Sequence, residues 1–353
     1  MLKTLTINNF RGFQDFSLQS LGRLNLLVGT NNSGKTSVLE AAQLLCSRNP
    51  ETLREMVRNR GEYFWGDQNR RELDIRHLFY GHEMAIGSEF SISGKVDSEH
   101  KLEYVTAAIL SENSGMDGES DEIHFKWSYG TEQEWKRRLS YDGGLPEEIR
   151  QVKFKKDLKD NKPKTQFVTS SALTAAQMVE LFDQIVLTAE EQLVLEALQV
   201  VEPGIRRIAS VSSERFRNLE SKEGFVVLLA DNTNRVPIGS MGDGIWRILG
   251  LTLSIVAASN GVLLLDEIDT GLHFSTMNDM WKLLMTTARR LNVQVFATTH
   301  SNDCWMSLAN VAEELETEND EITIQRMEQG KNTGIVFDKD EMIVAANRGI
   351  EVR

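Results

Sequence analysis
The stretch Gly29-Thr30-Asn31-Asn32-Ser33-Gly34-Lys35-Thr36 fits the pattern G-x-x-x-x-G-K-[ST] in full, and no other feature of the 353-residue chain limits its fold as tightly. A loop of this kind works between a buried strand and the first turn of a helix. Its glycines let successive backbone N–H groups curl around an anion, and the helix N-terminus adds the positive end of its dipole. Both neighbours are legible: Leu24-Asn25-Leu26-Leu27-Val28 reads as a buried strand, and Thr36 to Leu45 reads as a helix. At average residue frequencies the fixed positions recur by accident in roughly one chain in a hundred of this length, so an ordinary Gly-rich turn is a poor alternative. The spacing therefore predicts an α/β fold and a nucleoside triphosphate site, with Gly29, Asn31, Asn32, Ser33, Gly34 and Ser37 around the phosphates. Lys35 would reach the β- and γ-phosphates, and the Thr36 hydroxyl would ligate Mg²⁺.

A second motif lies far downstream. Val262-Leu263-Leu264-Leu265-Asp266-Glu267 is an apolar run that delivers two carboxylates at its end. In an open α/β sheet, ligands bind at that C-terminal edge of the strands. Asp266 is expected to hold Mg²⁺ and Glu267 to polarise an attacking water. An Asp-Glu pair after a strand can also cap the next helix, but beside a full phosphate loop the catalytic reading is stronger. The expected triphosphate is ATP, because Asn161-Lys162-Pro163 is followed by Lys164 rather than by the aspartate with which GTPases read guanine. Val293 to Thr298 is another β-rich run, ending in Thr298-Thr299-His300. One helix, about residues 272 to 291, separates it from the acidic strand, the step expected of neighbouring parallel strands. Upstream, Ile238 to Gly244 opens a long apolar helix, and Ser240 with Gly242 there makes a second candidate anion site. A simple N-cap is its alternative.

Taken in this order, the pieces resemble the ABC-type ATPase heads of the RecF, SMC and OLD (overcoming lysogenization defect) proteins. Thr6 to Phe13 resembles the opening strand and turn of that branch, which implies that Arg11 contacts nucleotide phosphate. Ser240-Met241-Gly242-Asp243-Gly244 resembles the signature motif, and it differs from the Leu-Ser-Gly-Gly-Gln of transporter subunits. Asp266 to His273 resembles the acidic strand end followed by the dimer-contacting D-loop, in which Asp269 joins the nucleotide-site residues. Thr298 to Ser301 resembles the switch segment, so His300 would read the γ-phosphate. In this family two heads sandwich ATP. The resemblance therefore implies a homodimer or a higher even-numbered homo-oligomer, with Ser240 and Gly242 supplied by the opposite subunit. The glutamine that contacts Mg²⁺ in such heads has no clear counterpart, and Gln68 is its weak candidate.

Charge narrows the partners. The chain carries 39 Lys and Arg against 52 Asp and Glu, a formal net charge of −13, so its average surface repels phosphate backbones. The densest basic run, Lys153 to Lys164, reads as a solvated loop before it reads as a nucleic-acid patch. Nucleic-acid contact stays open without support from charge. Cys46 and Cys304 lack metal or redox spacing, which points to a reducing compartment. The first residues alternate like a strand rather than a signal peptide. The longest apolar helix, Ile248 to Ser259, is too short for a bilayer. A cytoplasmic protein with no membrane role is expected.

The expected architecture is a P-loop fold of ABC type, with a mostly parallel core sheet, an antiparallel β-lobe and a helical lobe. Residues 1–47 and 205–353 would form the nucleotide-binding core, and 48–204 an inserted β/helical lobe. Within the insert, residues 51–80 read as helical, Glu89 to about Leu139 as antiparallel strands, and 172–200 as two helices. After His300 come a helix, two short strands and a closing helix capped by Asp338. No long heptad array follows the phosphate-loop helix, which excludes an SMC arm. Only 53 residues follow His300, too few for the Toprim nuclease that OLD proteins append. The resemblance thus makes the chain a sensor or motor for a separate effector, which could be a nuclease, in anti-phage defence or DNA processing. A RecF-like DNA-repair clamp and an ATP-binding switch with little turnover are the alternatives.

Overall fold
The computed structural model describes residues 1–66, 70–96, 101–113, 119–128, 132–146, 164–171, 173–211, 224–230, 234–315 and 321–353. The chain opens with strands β1 (Leu2–Phe10), β2 (Phe13–Leu18) and β3 (Leu24–Val28), then helices α1 (Lys35–Ser47) and α2 (Glu51–Asn59). Next come β4 (Tyr63–Trp65), β5 (Arg71–Leu73), β6 (Glu89–Val96), β7 (Lys101–Asn113), β8 (Glu119–Ser128), β9 (Glu132–Arg138) and β10 (Leu145–Pro146). The following stretch holds β11 (Thr165–Val168), α3 (Ala175–Asp183), α4 (Ala189–Val201), β12 (Ile205–Ser210), β13 (Phe225–Leu229) and β14 (Arg235–Pro237). The rest comprises α5 (Asp243–Ala257), β15 (Val262–Leu265), α6 (Phe274–Arg290), β16 (Gln294–Thr298), α7 (Asn302–Glu314), β17 (Ile322–Arg326), β18 (Ile335–Phe337) and α8 (Lys339–Arg348).

One compact unit takes Met1–Leu21, Thr30–Pro163 and Met327–Val336. Its main sheet has the order β2-β1-β6-β7-β8-β9, with antiparallel neighbours throughout. Period-two alternation decides its buried face. Phe90, Ala107, Phe125 and Trp135 stand opposite one another across four strands, and all are buried. Small Ala107 leaves room between its neighbours for Phe90 and Phe125 to meet edge-on at 6.1 Å. Helix α1 packs against β6 and β7 with Val38, Leu39, Ala42 and Leu45 buried.

The helical expectation for residues 51–80 holds as far as Asn59 and again in the short 3₁₀ turn Ile75–Leu78. Gly61, at φ +68°, breaks the helix. The aromatic segment Tyr63-Phe64-Trp65 then pairs with β5, which pairs with β10 in a three-stranded sheet. Strand β10 is distant in sequence, so no local pattern announces the pairing.

The second unit takes Gly22–Gly29, Lys164–Arg326 and Phe337–Arg353. Its central sheet has the order β11-β15-β16-β3-β17-β18. The pairs from β11 through β17 are parallel. Strands β3, β15 and β16 are buried at every residue, the continuous apolar signature of a sheet covered on both faces. Helix α5 is buried from Ile245 to Val256 and carries α3 and α4 against it. Trp281 of α6 is fully buried and donates its Nε1–H to the Cys304 carbonyl of α7 at 2.9 Å. Helix α8 starts with a capping box between Asp338 and Glu341, as expected of that aspartate.

These units do not follow the expected boundaries at 47/48 and 204/205. Strand β1 hydrogen-bonds to β6, which draws the N-terminal strands into the β-sheet of the insert. Helices α3 and α4 belong with α5 instead. Among the described residues no helix is long and apolar enough to cross a membrane.

Candidate functional site
Strands β15, β16 and β3 are adjacent, and their C-terminal ends are level: Leu265 pairs with Ala297, and Thr298 with Leu27. The parallel edge therefore presents Asp266-Glu267, Thr299-His300 and Gly29 side by side. Hydrogen bonds hold the acidic segment to its neighbours. The Asp266 N–H donates to the Val168 carbonyl of β11 at 2.9 Å, and the Ile268 N–H to the Thr298 carbonyl at 3.0 Å. The Thr298 hydroxyl donates to Asp266 Oδ1 at 2.7 Å and accepts the Glu267 N–H at 2.8 Å. The Thr299 hydroxyl donates to Asp269 Oδ1 at 2.6 Å and accepts the Ser301 N–H at 2.9 Å.

Glu267 sits at φ +49°, in the left-handed region. A non-glycine residue there costs about 1–2 kcal/mol, which the surrounding bonds offset. Its carbonyl accepts from Arg247 Nη2 at 3.2 Å and from the Thr270 N–H at 3.0 Å. Arg247, buried in α5, has its pKa lowered by desolvation, while Asp269 and Glu267 pull it back up. His300 is half-buried, and its carbonyl accepts from Arg353 Nη1 at 2.6 Å.

The phosphate loop leaves β3 at Gly29. Positive φ angles at Gly29 (142°), Asn32 (61°) and Gly34 (91°) turn the backbone before α1 begins at Lys35. Gly34 has a second reason to be glycine, since a Cβ there would lie 2.3 Å from Phe13 Cζ. Lys35 is buried, and its Nζ donates to the Thr30 carbonyl at 2.9 Å and to Ser33 Oγ at 3.4 Å. Ser33 and Ser37 are buried, Thr36 is half-buried, and Asn31 and Asn32 are exposed. A cavity of about 1140 Å³ runs along this loop, lined among others by Phe13, Asn32, Gly34, Ser37, Tyr80 and Lys331.

Arg11 lines the same cavity, but its guanidinium is committed elsewhere. It is 3% exposed, with Nε 2.6 Å from Glu40 Oε2 and Nη1 2.5 Å from Glu62 Oε1. Arg60 bonds Glu40 from the other side at 2.7 and 3.0 Å. Burial pushes the Glu40 carboxyl above the usual carboxylate range, and Arg11 and Arg60 pull it back down. A phosphate contact by Arg11, implied by resemblance, would have to compete with both carboxylates.

Ser240 is exposed in the 3₁₀ turn Ile238–Met241, and exposed Gly242, at φ +98°, is the N-cap of α5. That helix has no side-chain cap, so the N-cap alternative for Ser240 does not hold. Gln68 and Lys153 to Lys162 lie outside the described residues. Among the described residues no cluster of three or more His, Cys, Asp or Glu is placed to hold a metal. The Thr36 hydroxyl and the Asp266 carboxylate are each hard oxygen donors, of the kind Mg²⁺ takes together with waters and phosphates. Thr298, Thr299 and Arg247 join this hydrogen-bonded cluster without a motif of their own: the Thr-Thr pair before His300 is the one local signal, and a buried arginine inside an apolar helix carries none.

A family model described as "AAA domain, putative AbiEii toxin, Type IV TA system" matches residues 24–303. An "ATP/GTP phosphatase" of Helicobacter pylori is 22% identical over 386 aligned positions, covering 97% of this chain and 99% of that one. Among solved structures, an SmcHead bound to the C-winged helix domain of ScpA matches at 14% identity and a TM-score of 0.48, over 96% of this chain and 97% of that one. An Smc head domain with an extended coiled coil, bound to the C-terminal domain of ScpA derived from Pyrococcus furiosus, matches at 11% identity and a TM-score of 0.48, over 99% of each chain.

Proposed function
Because the chain belongs to the AAA domain family, and is thereby an ATPase of that type, we propose that two copies close on ATP and that hydrolysis in the closed pair drives a separate effector protein. The observation that carries the reading is the level edge of β3, β15 and β16, where Gly29, Asp266-Glu267 and Thr299-His300 leave three adjacent parallel strands. That is the edge at which α/β sheets bind ligands.

The residue roles follow from their chemistry. Backbone N–H groups of Asn31 to Thr36 cradle the phosphates, and the Lys35 ammonium neutralises charge on the β- and γ-groups. Thr36 and Asp266 hold Mg²⁺, which when bound offsets phosphate charge as it builds towards the leaving group. Glu267 orients water for in-line attack on the γ-phosphorus, yielding ADP and phosphate, and His300 reads the γ-phosphate. The nucleoside end takes the cavity along Asn32 to Ser37. ATP is the proposed nucleotide, since the guanine-reading Asn-Lys-x-Asp is absent; the relative's name makes GTP the competitor to measure.

Ser240, Gly242 and Asp269 are proposed to act across the pair. Exposure of Ser240 and Gly242 at the start of α5 supports that reading. A defence or DNA-processing role rests on the motif resemblance and on the toxin–antitoxin system in the family description. A nuclease is the effector that the resemblance suggests.

Mixing two inactive variants tests the shared site. Lys35→Ala removes the phosphate lysine, and Ser240→Arg places a bulky cation where the partner's γ-phosphate would sit. Each should be inactive alone, with Ser240→Arg still binding ATP. Mixed dimers can assemble one site with an intact loop and an intact signature, so activity should partly return. Full activity of Ser240→Arg alone would exclude the shared site.

A further inference from the structure
We propose that Thr298 is a positioning residue for turnover: its hydroxyl sets the Asp266 carboxylate against the backbone of Glu267, and thereby tunes the site for the divalent cation that accompanies the nucleotide. The inference rests on the roles assigned above to Asp266 and Glu267.

Thr298 is the last residue of β16 and 1% exposed. It bonds three consecutive residues of the neighbouring chain segment: its hydroxyl meets Asp266 Oδ1 at 2.7 Å and the Glu267 N–H at 2.8 Å, and its carbonyl accepts the Ile268 N–H at 3.0 Å. A hydroxyl has one hydrogen to give. The backbone N–H of Glu267 can only donate, so the Thr298 hydrogen goes to Asp266 and the rotor has one satisfied orientation. Its bond to Asp266 is charge-assisted and stronger than a neutral one.

The turn that this hydroxyl grips needs holding. Glu267 at φ +49° keeps that conformation only if its surroundings over-determine it. Thr299 repeats the arrangement one residue on, donating to Asp269 Oδ1 at 2.6 Å. The two threonines therefore hold both ends of the Asp266–Asp269 turn from the strand that leads into His300. Valine would fill the same buried volume without the hydroxyl, whereas serine would keep the hydroxyl and lose a methyl group.

The test compares Thr298→Val and Thr298→Ser with wild type. It reads ATP hydrolysis against Mg²⁺ concentration, and calorimetric affinity for a non-hydrolysable ATP analogue in Mg²⁺ and in EDTA. In Thr298→Val, kcat should fall about 10- to 100-fold, the scale of a lost hydrogen bond to a charged group. Half-maximal turnover should need more Mg²⁺, and analogue affinity should drop in Mg²⁺ but not in EDTA. Thr298→Ser should recover most of each loss. If the valine protein does not fold, Thr298→Ser against Thr298→Ala makes the same comparison. Wild-type Mg²⁺ dependence without the hydroxyl, equal affinity losses with and without Mg²⁺, or a serine variant no better than its hydroxyl-free counterpart would each overturn the proposal. Glu267→Gln, measured alongside, separates the two levels. If it hydrolyses ATP normally, the underlying roles fail and this inference with them; if it is inactive while the hydroxyl-free protein is normal, only this inference fails.

Discussion
Gly34→Ala should destabilise the protein by about 2–5 kcal/mol, through two effects that can be separated. The first is backbone strain. Gly34 sits at φ +91°, and an L-residue forced into the left-handed region pays roughly 1–2 kcal/mol. The second is overlap. The new Cβ would lie 2.3 Å from Phe13 Cζ and 2.9 Å from Cε2, closer than real Cβ atoms come. The Phe13 ring stacks at 4.6 Å on Phe16, which is itself 1% exposed, so yielding to the methyl group would disturb that stack. Overpacking of this kind costs about 1–3 kcal/mol. Urea unfolding of wild type, Gly34→Ala, Phe13→Ala and the double variant forms a cycle that isolates the overlap. In the Phe13→Ala background the Gly34→Ala penalty should shrink to the strain part alone. Nucleotide affinity should fall in Gly34→Ala and stay low in the double variant, since strain rather than the ring misaims the loop's N–H groups. A penalty under about 0.5 kcal/mol, below the strain expected at this φ, or one that Phe13→Ala leaves unchanged, would refute the reasoning.

Lys35→Ala should abolish ATP binding and turnover together, and unchanged affinity in calorimetry would contradict the phosphate role. Glu267→Gln should retain ATP binding yet release phosphate at least about a hundredfold more slowly, the scale of losing a general base; near-normal turnover would assign water orientation to another group. Arg11→Met should cost about 1.5–3 kcal/mol in urea unfolding, because Glu62 loses its guanidinium partner while buried Glu40 keeps only Arg60. Adding Glu40→Gln and Glu62→Gln should recover much of that loss, and a single-variant cost under about 1 kcal/mol would show that the ion pairs contribute little.

The parts of this protein written within a dozen residues were legible in its sequence. The phosphate loop needs its glycines and its lysine at set spacings, so Gly29 to Thr36 announced both a ligand class and a strand–loop–helix unit. Apolar runs marked β3 and β15 as buried strands, the single intervening helix marked the β-rich run of β16 as a parallel neighbour of β15, and alternation from Glu89 to about Leu139 marked an antiparallel set. Asp338 announced the cap of α8. Tertiary structure decided what depends on partners distant in the chain. β17 lies beside β3, β5 pairs with β10, and β1 joins β6, which moved the unit boundaries away from those expected. Arg11 reads as a phosphate ligand by its motif, yet Glu40 and Glu62, 29 and 51 residues away, close around it. Thr298 reads as one more strand residue until β15 is placed beside β16 and its hydroxyl meets Asp266. Local spacing specifies which chemical groups the backbone can present; whether each faces a ligand or a buried counter-charge depends on the partner that burial brings to it.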